Sequence, residues 1–225
     1  MGRAFYTISN NITFIGLTFV NGRSSSNGGA ISSSSGRLQI INSTFINNTA
    51  SSNGGAVYSG NDLSIIDCEF INNSAASDGG AVYSYGMNVS NSNFENNHAN
   101  RTGGATYSYR NGNIDNSSFT NNSANAAGAA YVRSNVTVTD SSFDSNNASS
   151  GLGGALSADN VTVRNSNFTN NIAGGSGGAL RATYNEYIYD SRFINNTSIN
   201  GGGGASYSRN STIDNSVFVN NFYKN

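Results

Sequence analysis

The chain contains no proline and no tryptophan, and has one cysteine, one histidine and one lysine in 225 residues. Cys68 alone cannot build an internal disulfide framework or a cysteine-based metal cluster. His98, equally alone, argues against a histidine-rich zinc site. Charge is sparse, at 10% of residues with a net of −1, and the ten arginines are scattered. No basic stripe marks a nucleic-acid partner. No apolar run approaches the length of a membrane-spanning helix, so direct membrane insertion is not expected. Met1 to Asn10 lacks the basic and apolar segments of a secretory signal, and Tyr6 stands where a myristoylation motif has Ser or Thr. Hydrophobic content is only 36%, yet disordered chains combine that with high net charge and few aromatics. Here aromatics are 11%, evenly spread. Something ordered spaces them.

What the chain has is a repeat. Phe recurs at 19, 45, 70, 94, 119, 143, 168, 193 and 218, at intervals of 24 to 26 residues. Gly-Gly-Ala triplets start at Gly28, Gly54, Gly79, Gly103, Gly153, Gly177 and Gly203, with Ala127-Gly128-Ala129 as a degenerate copy. Two markers that hold phase over eight periods do not arise from composition, and a period of this size signals a solenoid.

The aligned columns identify its type. Five residues before each Phe from Phe45 onward is a β-branched residue (Ile40, Ile65, Val89, Ile114, Val138, Val163, Ile188, Ile213), two before it is Ser or Cys68, and three after it is Asn. Short β-branched and aromatic segments bounded by Asn, Gly and Ser read as strands. The positions at −5 and 0 differ in parity, so both face inward only if the chain bends between them. The Asn/Asp column at −3, from Asn42 to Asn215, marks that corner, because these residues tolerate the left-handed region. The prediction is an all-β, right-handed parallel β-helix: one domain over 1–225, about nine coils, three short strands per coil, with 1–27 an atypical first coil. At about 4.8 Å per coil the rod is roughly 40 Å long. Leucine-rich repeats fail on the scarcity of Leu, calcium-binding nonapeptides on the absence of Asp after the Gly pairs, and an ice-binding ladder on a single Thr137-Val138-Thr139.

The pairing of Gly-Gly-Ala-[Ile/Leu/Val] with Phe-x-x-Asn, as in Gly28 to Ile31 with Phe45 to Asn48 and Gly54 to Val57 with Phe70 to Asn73, resembles the repeats of chlamydial polymorphic outer-membrane proteins. It is similar also to those of Asn-rich adhesin-like surface proteins of methanogenic archaea. The resemblance covers nearly the whole chain. It implies an exported, extracellular or cell-surface β-helix, adhesin-like and non-catalytic, that binds a glycan or protein of another cell or serves as a stalk. Some fifteen Asn-x-Ser/Thr sequons, including Asn11, Asn88 and Asn160, are consistent with export, though a chain this rich in Asn, Ser and Thr also makes them by chance.

The candidate site lies on the strand after Gly-Gly-Ala. Its first column is mostly apolar, and its second is Ser32, Tyr58, Tyr83, Tyr107, Tyr131, Ser157, Arg181 and Tyr207. An arginine inside a narrow coil is very costly, which turns this second column outward. Two residues further on stand Tyr85, Tyr109, Arg133 and Arg209. Tyr58, Tyr83, Tyr85, Tyr107, Tyr109, Tyr131 and Arg133 are therefore the expected ligand-binding patch, since exposed aromatic clusters mark interaction sites. The alternative is that cross-strand tyrosines simply brace a sheet.

Two other functions stand beside this one. Polysaccharide lyases and pectinase-like hydrolases share the fold, and glycoside hydrolysis needs paired carboxylates. The nearest pairs here, Asp115 with Asp140 and Asp190 with Asp214, look like corner residues exchanged with Asn, so no catalytic residue, metal or cofactor is expected. The third reading is a spacer without a ligand. Cys68 is expected to fill the inward Ser column, and His98 to sit solvated in a turn. Coil ends present unpaired strand edges, from which end-to-end self-association, or further coils of a longer surface protein, is expected.

Overall fold

The computed structural model describes residues 2–8 and 11–224. Among them there is no helix, and the chain is an all-β, right-handed parallel solenoid of about nine coils with three parallel sheets.

One coil shows how the sequence dictates the path. At Gly54 φ is +64°, and a Cβ there would lie 2.1 Å from the Val57 carbonyl oxygen. At Gly55 a Cβ would lie 2.0 Å from the Gly80 carbonyl oxygen of the next coil. The first glycine supplies a backbone conformation and the second a close approach, so neither tolerates a side chain. Val57–Ser59 follows as the first strand and Asp62–Ile66 as the second. Asp67 turns the expected corner at φ +54°. Glu69–Ile71 is the third strand, Asn72 makes another left-handed corner at φ +56°, and Ser74–Ala75 is a further strand of two residues.

The three expected strands are thus present, and a fourth, too short to announce itself, follows the Phe strand. The first two strands belong to one sheet. They run together in three coils as Ala130–Thr139, Leu156–Arg164 and Leu180–Tyr189. One sheet therefore has fifteen strands and the other two have nine each. Pairing between the named strands is parallel, and the core columns stack like on like: Phe45 beside Phe70 beside Phe94, Ile40 beside Ile65 beside Val89.

Inside the coils the residues at −5 and 0 are both buried, Ile65 and Phe70 at 0% exposure, which is the bend that the parity skip requires. From Phe19 to Phe218 successive rings stack with centroids 4.7 to 5.0 Å apart and planes within 12° of parallel. That separation exceeds ring contact distance, so the rings are offset, the arrangement their quadrupoles favour.

The Asn column three residues after Phe is buried completely from Asn48 to Asn196. Each amide donates through Nδ2 to the Oδ1 of the next rung and to a Phe carbonyl of the coil before. Asn97, for example, bonds Asn122 Oδ1 at 3.0 Å and the Phe70 oxygen at 2.9 Å. The same Oδ1 also accepts from the Asn97 backbone N–H at 3.0 Å. With every amide group partnered, the ladder holds polar residues in the core without the cost of orphaned donors. The Ser column at −2 is likewise buried and bonded, as in Ser92 Oγ to the Ser90 carbonyl at 2.7 Å. Cys68 occupies its place in this column, 1% exposed, with its thiol pushed up by burial.

Candidate functional site

The second column after Gly-Gly-Ala faces outward, as its Arg181 required. Tyr58, Tyr83, Tyr107 and Tyr131 lie half-buried on four adjacent strands, in register. Their rings stack at 5.3, 4.7 and 5.2 Å between centroids, with interplanar angles of 13°, 4° and 20°. Beside them Tyr85 and Tyr109 stack at 5.6 Å. Arg133 lies over Tyr109 at 4.5 Å, and Arg110 over Tyr85 at 4.8 Å. The structure therefore brings all seven expected residues into one two-column patch. It adds Arg110, which the sequence does not single out because it sits one residue off the outward alternation. Arg209, expected to flank the patch, lies instead over Tyr184 at 5.4 Å, and Arg164 over Tyr189 at 4.2 Å, two further pairs on later coils.

The stacking changes what the patch can offer. Tyr83 and Tyr107 each have a ring on either side, so both faces are engaged and what remains outward is ring edge and hydroxyl. Burial, followed by the neighbouring tyrosines and Asp78, raises both hydroxyls, Tyr107 to about 12, against a smaller opposing pull from Arg133. They are thus protonated donors at physiological pH. Only the two ends of the stack, Tyr58 and Tyr131, keep a face free of another tyrosine of the four. Each of those faces looks along the solenoid toward a serine, Ser32 or Ser157.

The suspected carboxylate pairs lie elsewhere, at the corner before the Phe strand. There a shallow polar groove of about 500 Å³ is lined by Asp67, Glu69, Asn91, Asn116, Asp140 and Asn165 among others. Asn165 donates to Asp140, and Asn215 to Asp190 at 2.5 Å, so each Asp serves as a rung of the corner ladder. Asp115 registers with Thr139 and Asp214 with Tyr189, which places the suspected carboxylate pairs in neighbouring columns rather than in one. His98 is exposed as expected, though in the two-residue strand His98–Ala99, where its ring meets Ser123 Oγ at 2.9 Å and Asn100 Oδ1 at 3.1 Å.

The model of the Chlamydia polymorphic membrane protein repeat matches three stretches, residues 42–60, 67–85 and 91–109. Each stretch begins at a left-handed corner residue (Asn42, Asp67, Asn91), passes through the Phe and Asn rungs and the Gly-Gly-Ala, and ends just beyond the outward Tyr. No curated protein and no solved structure matches the chain. The chain is accordingly a parallel β-solenoid that carries repeats of the polymorphic-membrane-protein type.

Proposed function

We propose that this solenoid is a surface-displayed, non-catalytic binding module, adhesin-like in role, that engages a glycan or a partner surface through its tyrosine–arginine face. The observation that carries the reading is the Tyr58–Tyr131 ladder with Arg110 and Arg133 laid over its second column. It is a fixed row of hydroxyl donors and cations on a rigid sheet, and preorganised groups lose little freedom on binding. The matched repeat type supports a surface location and an adhesin-like role. The self-stacking favours a second reading, of a spacer whose tyrosines brace one another. A carbohydrate-active enzyme is the third. Its suspected pairs, Asp115 with Asp140 and Asp190 with Asp214, stand in neighbouring columns as members of corner ladders, and fold alone confers no chemistry.

The test is incubation of the protein with polysaccharides, scoring both its retention and the release of new sugar ends. Retention without release, lost in the double variant Tyr83→Ala/Tyr107→Ala at unchanged fold, is the expected result. Release of sugar ends would replace the reading with the enzyme. Absence of any retention, together with no binding to cell surfaces, would leave the spacer.

A further inference from the structure

By strand register one outward column runs along the corner that opens the second strand: Arg37, Asp62, Gly86, Asn111, Asn135, Asn160, Asn185 and Asn210. From Asn135 onward it is a second, external asparagine ladder. Asn160 donates to Asn135 at 2.9 Å, Asn185 to Asn160 at 2.7 Å and Asn210 to Asn185 at 3.0 Å. In the earlier coils the ladder gives way to Gly86, with Asp62 and Arg37 beyond it. We propose that this break is a sugar-binding notch, which holds one residue of a neutral glycan between the Asp62 carboxylate, the Arg110 guanidinium and the Asn111 amide. This rests on the glycan-binding reading above and names where the glycan is anchored and what charge it carries.

A cavity of about 350 Å³ opens at the break, lined by Asp62, Gly86, Asn88, Arg110, Asn111 and Asn113 among others. A second, of about 390 Å³, shares Asp62 and Asn88 as walls and reaches Arg37. Sites for small ligands have volumes of roughly 300 to 1,000 Å³. The five side chains that line the first cavity beside Gly86 are exposed, so its rim is open to solvent.

Glycine makes the notch. The first glycine of each Gly-Gly-Ala has a positive φ, but Gly86 does not, so its backbone does not require glycine. A glycine inside a strand costs stability, and it often marks a place where a ligand approaches closely. A Cβ at Gly86 would stand 2.6 Å from Asp62 Oδ1. The carboxylate therefore leans over space that the asparagines of the ladder fill with their own side chains.

The groups around the notch suit a polyhydroxylated ring. Asp62 only accepts hydrogen bonds and Arg110 only donates them. Asn111 Oδ1 accepts from the Asn135 N–H at 3.3 Å, so Asn111 offers its Nδ2 as a further donor. Neighbouring sugar hydroxyls, each both donor and acceptor, can answer all three. Neither Asp62 nor Arg110 forms an ion pair among the described residues. Arg110 lies over Tyr85 at 4.8 Å, which joins the notch to the tyrosine–arginine face and leaves the guanidinium little freedom to lose on binding. A polyanionic chain would instead bring its own carboxylates against Asp62.

The experiment measures retention of the full chain by neutral polysaccharides (glucan, mannan and galactan) and by a polyuronate, with thermal unfolding recorded for every variant. Wild type is expected to prefer a neutral polysaccharide. Gly86→Asn, which carries the external ladder through the notch, is expected to unfold no earlier than wild type. It is expected to weaken binding by about tenfold or more, as the loss of a hydrogen bond to a charged group does. Asp62→Ala, which removes the acceptor, is expected to weaken it as much, and Asn185→Ala, on a distant rung of the same column, to bind as wild type. Should Gly86→Asn and Asp62→Ala bind normally while Tyr83→Ala/Tyr107→Ala fails, the notch is wrong, although the binding-module reading stands. Preference for the polyuronate would overturn the neutral assignment and the role of Asp62 with it. Should the wild type retain none of the panel, notch and glycan reading fall together.

Discussion

Ala127 breaks the repeat's rule at the level of a single residue. It occupies the first glycine position of the triplet, is fully buried, and has φ +52°. In the other copies the same position is glycine, with φ between +62° and +76°. An L-residue in this region costs roughly 1 kcal/mol or more relative to glycine. Ala127→Gly is therefore expected to raise stability by about 1 kcal/mol, seen as a higher urea midpoint at unchanged slope. No gain would mean that the chain has relaxed around the alanine. Glu186 is a second exception: it stands, 3% exposed, in the column filled elsewhere by Leu38, Leu63, Met87, Val136 and Val161. Its Oε1 takes hydroxyl bonds from Ser206 at 3.1 Å and Ser211 at 2.7 Å, while its Oε2 has no partner.

Ladders are the elements of this molecule, and they are unequally visible in the sequence. The Phe and β-branched columns announce themselves because apolar residues at a fixed spacing imply a shared buried face. The Asn column is equally regular, yet polar residues read as boundary markers. Only stacked coils allow an amide to find its partners one rung away, so its burial cannot be seen in a single repeat. The second left-handed corner and the two-residue strand escape for a related reason: both are defined by what the neighbouring coil does.

The tyrosine ladder carries a pH prediction. The Tyr107 hydroxyl is raised in the folded state from its ordinary 10.0 to about 12, chiefly by burial. Folding therefore favours the protonated form. The stabilising contribution is complete below pH 10 and is lost as pH rises from 10 through about 12, because the unfolded chain releases that proton first. Wild type is expected to lose stability across this window more steeply than Tyr107→Phe in parallel denaturation series. Equal slopes would show that the hydroxyl does not titrate against folding.

At the scale of the whole molecule, each coil touches only the coils before and after it, so stability is a sum over neighbours. The interior coils bury both faces of every rung, as at Phe94, Phe119 and Phe143. The Phe218 rung stacks on one side only, 5.0 Å from Phe193, and is 39% exposed. Hydrogen exchange is expected to form a gradient, slowest in the coils that contain Phe94 to Phe168 and fastest in the coil of Phe218. Uniform protection from end to end would show instead that the solenoid opens as one unit.

The solenoid, its period, the columns that face inward and the outward turn of the tyrosines are all legible in the repeat. Those follow from a repeat that must place like on like, and from the cost of burying an arginine. Tertiary structure alone decided which partners the side chains meet. It spends the inner tyrosine faces on one another, lays Arg110 and Arg133 over Tyr85 and Tyr109, and fuses two strands in three coils. Each depends on distances between residues about one repeat apart, which are fixed by coil rise and register rather than by any local preference of the chain.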